Sequence, residues 1–65
     1  MGNKKYPKVY EQINRFYTLV AEYHNLPDIE QFIQRCTQNA YRVACKLLSE
    51  GKYTQDQIIA MYPLD

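Results

Sequence analysis

Residues 28–51, DIEQFIQRCTQNAYRVACKLLSEG, decide the fold class. Ile29, Ile33, Cys36, Ala40, Val43 and Leu47 recur at alternating spacings of four and three. That is the period of one face of an α-helix, whereas a half-buried strand alternates every second residue. Between Asp28 and Gly51 no proline or glycine interrupts the pattern, which runs for about five turns. Asp28 followed by Gln31 fits a capping box, so cap and reach-back partner are both present. Gly51 is the natural left-handed stop.

Working outward, a second helix precedes this one. Val9, Ile13, Phe16, Val20 and Tyr23 make a seam at spacings of 4, 3, 4 and 3. Pro7 suits the first turn, where its missing N–H costs nothing. The helix should end near His24-Asn25, because Pro27 disfavours helical geometry in the residue before it. Met1 to Tyr6 (MGNKKY) is polar and basic and is expected to fray. Downstream, Thr54 and Gln57 form another capping box, with Tyr53 placed to staple against Ile58. Ile58, Ile59, Met61 and Tyr62 supply an apolar face until Pro63 ends the element. The expected architecture is all-α: one three-helix domain over residues 1–65, two long antiparallel helices plus a short C-terminal one.

Composition narrows what such a domain does. Charged residues at 23% and apolar residues at 46% argue against disorder. A core this small rarely gives more than about 3–5 kcal/mol, so a supplement is expected. Disulfides do not provide it, since Cys36 and Cys45 stand nine apart on one helix and face opposite ways. The expected setting is cytoplasmic, with both thiols reduced. A metal is not expected, because His24 is the only histidine and no C-x-x-C is present. No apolar run approaches the ~18 residues of a membrane span. Self-association and aromatic packing remain, and seven tyrosines favour them.

The helix faces carry more apolar surface than one core needs. At 100° per residue the first helix spreads its apolar residues over roughly 200°, against about 100° for an ordinary surface helix. Tyr10, Tyr17 and His24, spaced by sevens, flank the seam on one side; Leu19 and Leu26 flank the other. Tyr41, Cys45 and Leu48 make a comparable extra strip on the second helix. Tyrosines at a core edge with wet hydroxyls would give a similar pattern. The preferred reading is a protein interface through Tyr10, Tyr17, His24, Tyr41, Cys45 and Leu48, most simply a homodimer. The opposite face of the second helix gathers Gln31, Arg35, Gln38, Arg42, Lys46 and Ser49. A solvated face is its simplest reading. Arg35, Gln38, Arg42 and Lys46 are also the candidate contacts for nucleic acid, with two copies joined in a dimer.

Leu47 to Leu64, LLSEGKYTQDQIIAMYPL, resembles the approach to a helix-turn-helix in its Gly51 stop, Thr54 cap and Ile59-Ala60 pair. The recognition helix that this resemblance implies does not follow before Asp65, and a major-groove reader of the usual geometry depends on it. No catalytic constellation emerges. Ser49 is the sole serine and His24 belongs to another element, so a nucleophile–base pair is not expected. The expected function is therefore that of a regulatory or protein-interaction module that binds a partner. It is expected to use no cofactor and no small-molecule substrate, with nucleic-acid binding as the alternative.

Overall fold

The computed structural model describes residues 5–64. Three helices follow one another: α1 (Pro7–His24), α2 (Ile29–Ser49) and α3 (Gln55–Ala60), with no strand among the described residues. Each boundary has an identifiable chemical cause. Pro7 occupies the first turn of α1. At the other end Asn25 takes a left-handed φ of +51°. Its N–H bonds to the Glu22 carbonyl at 3.2 Å and the Leu26 N–H to the Ala21 carbonyl at 3.3 Å. This pair of bonds satisfies carbonyls that a helix end otherwise leaves open. Gly51, at φ +75°, closes α2 in the same way, with Gly51 N–H to Leu48 O at 3.1 Å and Lys52 N–H to Leu47 O at 3.3 Å.

The two capping boxes part company. In α3 the Thr54 hydroxyl accepts from the Gln57 N–H at 3.2 Å, and the Gln57 amide oxygen accepts from the Thr54 N–H at 2.9 Å. At α2 the box is absent: Asp28 makes no side-chain cap bond and sits at φ +52°. A capping side chain needs extended backbone to aim its oxygen at the next turn, and the short turn after Pro27 imposes the left-handed region instead. α3 also stops at Ala60, earlier than Pro63 alone requires. Two tighter bonds, Met61 N–H to Ile58 O and Tyr62 N–H to Ile59 O, both at 3.0 Å, wind it down.

α1 and α2 pack antiparallel, since contacts run Tyr10 to Tyr41, Asn14 to Thr37 and Tyr17 to Phe32. α3 lies against α1, and Ile58 joins Val9, Ile13 and Ala44 in one buried cluster. Small residues set the approach of the long helices. Thr37 and Ala44 are buried on α2, and Ala21 on α1. The buried hydroxyl of Thr37 accepts from the Asn14 amide at 3.4 Å, so its polarity is answered across the interface.

This places the α2 seam differently from the apolar repeat. Val43 is 59% exposed, while Thr37, Ala44, Tyr41 and Leu48 face inward. The helix is rotated so that short side chains meet α1 closely and tyrosine rings reach in from the edge. On α1, Tyr23 leaves the core altogether at 83% exposure. Tyr6, expected in a frayed start, is instead pinned: its N–H donates to the Tyr41 hydroxyl at 2.9 Å and its side chain packs on the core. The rest of that expectation falls on residues 1–4, outside the described residues.

Candidate interaction surfaces

The tyrosines expected to form an outer strip mostly build the α1–α2 seam. Tyr10 meets Tyr41 edge-on with ring centres 5.1 Å apart, and Tyr17 meets Phe32 at 6.4 Å. Tyr62, beyond α3, adds its ring to both Phe16 at 5.3 Å and Tyr17 at 6.1 Å. The Tyr10–Tyr41, Tyr17–Phe32 and Phe16–Tyr62 pairs are edge-on, each setting a positive ring edge against a negative face, and the Tyr17–Tyr62 pair is tilted at 54°. Tyr17, Tyr41 and Leu48 pack against the buried cluster, and Tyr10 and Cys45 are half-buried beside them. His24 is exposed, its ring edge-on to that of Tyr23 at 5.2 Å. The six residues therefore do not share one outer face.

Burial has an electrostatic signature here. Desolvation pushes the Tyr17 hydroxyl above the ordinary tyrosine value, helped by the neighbouring Tyr62 and Cys36. The Tyr41 hydroxyl is raised chiefly by burial, against the opposing pull of the Tyr6 N–H, while Cys45 adds to the rise. Both phenols are held neutral, as donors and acceptors within the fold.

The apolar surface left over lies elsewhere. Phe16, Leu19, Val20 and Tyr23 follow the i, i+3, i+4, i+7 pattern on the C-terminal half of α1. Together with Pro63 and Leu64 they line a groove of about 520 Å³, with Glu22 at its rim. Leu19 is 46% exposed. The groove exists because α3 is short. Gln12 Nε2 donates to the Tyr62 carbonyl at 2.8 Å, and Tyr62 covers Phe16. One turn further along α1 the cover has run out. Periodicity assigns Phe16, Val20 and Tyr23 to the core centre, because nothing local reveals where a third helix stops.

The basic face of α2 is present as read. Arg35, Gln38, Arg42 and Lys46 are all exposed. Among the described residues the ion pairs are Arg15 with Glu11 at 3.0 Å and Lys52 with Glu50 at 3.6 Å, so the three α2 cations have no carboxylate partner. Gln38 and Arg42 border a shallow depression with Tyr10, Tyr41 and Cys45. Such a face can hold phosphate oxygens, with affinity set by salt.

Ser49 and His24 lie apart. Ser49 donates to the Lys46 carbonyl at 3.0 Å. It ends α2, whereas His24 ends α1, and antiparallel packing sets those two ends apart. No group of three His, Cys, Asp or Glu side chains suited to a metal occurs among the described residues. No helix there is long and apolar enough to cross a membrane. Compared with protein-family models, curated proteins and solved structures, the chain matches none.

Proposed function

We propose that this chain is a cytoplasmic protein-interaction module that takes an apolar helix into the groove between α1 and the Pro63-Leu64 segment, acting by binding and not by catalysis. The observation that carries the reading is the open seam itself. Tyr23, at 83% exposure, continues the line of Phe16, Leu19 and Val20 past the end of α3. Aromatic and aliphatic side chains at that spacing are the anchors by which helices lie in grooves. An exposed Tyr–Leu strip beside a charged rim also has the composition of an interface centre. The cytoplasmic assignment rests on Cys36 and Cys45, both free and on opposite sides of α2.

Leu19→Glu tests the reading, with Arg42→Glu as a surface control on α2. A tagged chain is co-expressed with an untagged copy, and bound proteins are identified after capture. A defined species retained by wild type and Arg42→Glu but lost from Leu19→Glu supports the groove. Equal retention by all three overturns it. Circular dichroism must show that Leu19→Glu keeps its helices, as expected for a half-exposed position.

One observation favours a second reading, nucleic-acid binding through α2. Arg35, Arg42 and Lys46 share a face without carboxylate partners among the described residues. Fluorescence anisotropy with labelled duplex DNA at about 50 mM salt decides it. Binding should weaken steeply with salt, and Arg42→Gln should lower the salt slope by about 1. No binding at the lowest salt sinks it.

A further inference from the structure

We infer that the depression lined by Tyr10, Gln38, Tyr41 and Cys45 takes an unpaired base of a single-stranded nucleic acid, whose phosphates lie on Arg42 and the cations beside it. The inference rests on the nucleic-acid reading of α2 above, and names the form of nucleic acid and the site that holds it.

The side chains around the depression are the first ground. Gln38, Tyr41, Arg42 and Cys45 stand at i, i+3, i+4 and i+7 on α2, and Tyr10 comes from α1. Together they line a space of about 440 Å³, within the size range of small-ligand sites. Tyr10 and Tyr41 are each half-buried, so neither is sealed within the core, and Gln38 and Arg42 are exposed. Aromatic rings stack on bases of any kind, an amide answers the hydrogen-bonding edge of a base, and a guanidinium holds a phosphate. An apolar helix, by contrast, meets no aliphatic side chain here.

Charge is the second ground. Arg35, Arg42 and Lys46 fall within about 40° around α2 and about 16 Å along it, and all are exposed. A further cation arrives from the start of the chain. The N–H of the Lys5–Tyr6 peptide donates to the Tyr41 hydroxyl at 2.9 Å, which brings the exposed Lys5 to the tip of a ring that lines the depression. Basic residues far apart in sequence thus meet at one end of the α1–α2 pair. The carboxylates nearest in sequence are engaged or distant. Glu11 pairs with Arg15 and Glu50 with Lys52, while Glu30 stands about 18 Å from Arg42 along α2. That distribution suits a chain of negative charges.

The recess itself selects a single strand. In a duplex every base is stacked and paired, and only its edges reach the grooves. A base enters a depression lined by rings after it has left the stack, which costs unpairing energy in a duplex and least in a strand already single. Phosphates alone favour the opposite choice, because a duplex carries the higher charge density. A preference for single strands therefore reports the base and not the charge.

Fluorescence anisotropy on the full chain at about 50 mM salt tests the site with three labelled probes. They are an oligothymidine of about 10 nucleotides, the same backbone without bases, and a GC-rich duplex of about 10 base pairs. The oligothymidine should bind about fivefold or more tighter than either of the others, through base stacking. Arg42→Gln and Lys5→Gln should each lower its salt slope by about 0.7. Lys8→Gln is the control and should leave the slope unchanged, since Lys8 lies with Glu11 and Ile59 at a separate depression. Gln38→Glu sets a negative charge in the depression and should weaken oligothymidine binding about tenfold. Circular dichroism checks that these variants, all at exposed positions, keep their helices. A duplex or a bare backbone bound as tightly as the oligothymidine overturns the base site and leaves the nucleic-acid reading standing. Binding that Gln38→Glu does not weaken overturns the depression as its location. A slope unmoved by Lys5→Gln overturns the joining of the two basic stretches. No binding of any probe at the lowest salt overturns both the inference and the reading beneath it.

Discussion

Replacing Ile58 by alanine tests whether six residues of α3 hold the two long helices together. Ile58 is 1% exposed and joins Val9 and Ile13 of α1 and Ala44 of α2. Ile→Ala in a closed core costs about 2–5 kcal/mol, from lost transfer energy plus the cavity left behind. Alanine's better helix propensity returns only a few tenths of a kcal/mol. A domain of this size holds about 3–5 kcal/mol in total. A loss near 3 kcal/mol from about 4 would leave roughly 1 kcal/mol, or about five folded molecules for each unfolded one. With a urea slope of about 1 kcal/mol per molar, the midpoint should fall by about 3 M. Ile58→Val should lose about 1 kcal/mol. Met61→Ala, at a position 48% exposed, should stay within about 0.5 kcal/mol of wild type. Urea titrations followed by far-ultraviolet circular dichroism measure all three. An Ile58→Ala midpoint within about 0.5 M of wild type would refute the reasoning. It would mean that α3 detaches without disturbing the α1–α2 pair, and that the cluster is not one cooperative unit.

Two further outcomes follow from the backbone and the phenols. Gln57→Ala removes half of a formed capping box and should cost about 0.5–1 kcal/mol. Gln31→Ala should change stability by less than about 0.5 kcal/mol, because Asp28 makes no cap bond. At Asp28 itself, φ +52° should make the glycine variant more stable than the alanine variant by about 1 kcal/mol; chemical denaturation reads both comparisons. Tyr17 and Tyr41 both titrate above the ordinary tyrosine value of 10.0 in the fold. The folded state therefore keeps protons that the unfolded chain gives up. This contribution is complete below pH 10.0 and is lost as pH rises through the two raised values. Thermal melts across that range should show falling stability, with a smaller fall in Tyr41→Phe. A flat profile would remove the buried phenols from the account.

Much of the fold was legible in the chain because its causes are local. Pro7, Asn25-Leu26-Pro27, Gly51 and Thr54 with Gln57 act within a turn of themselves, through missing donors, left-handed backbone and reciprocal caps. The 4–3 apolar spacing established the two long helices for the same reason, and the Thr54–Gln57 box the short one. Asp28 marks the limit even at this level: its residue type suits a cap, but the conformation imposed after Pro27 turns its side chain from the task.

Which faces are buried was decided by packing between distant residues. The apolar arcs of α1 and α2 are broad enough for several rotations, and hydropathy alone does not choose among them. Close approach at Thr37 and Ala44 chose, turning Val43 outward and drawing Tyr17 and Tyr41 in. The groove depends on a relation that no window of sequence contains. α3 ends at Ala60, and Tyr62 just beyond it packs its ring on Phe16 and Tyr17 of α1. Leu19 and Tyr23 stay open because a helix some forty residues further along the chain is too short to reach them. By itself, then, the sequence determined the helices, their order and the exposed cations of α2, since helical period and caps act over a few residues. Tertiary structure decided which apolar residues are core and which are surface, because burial depends on where another element stops.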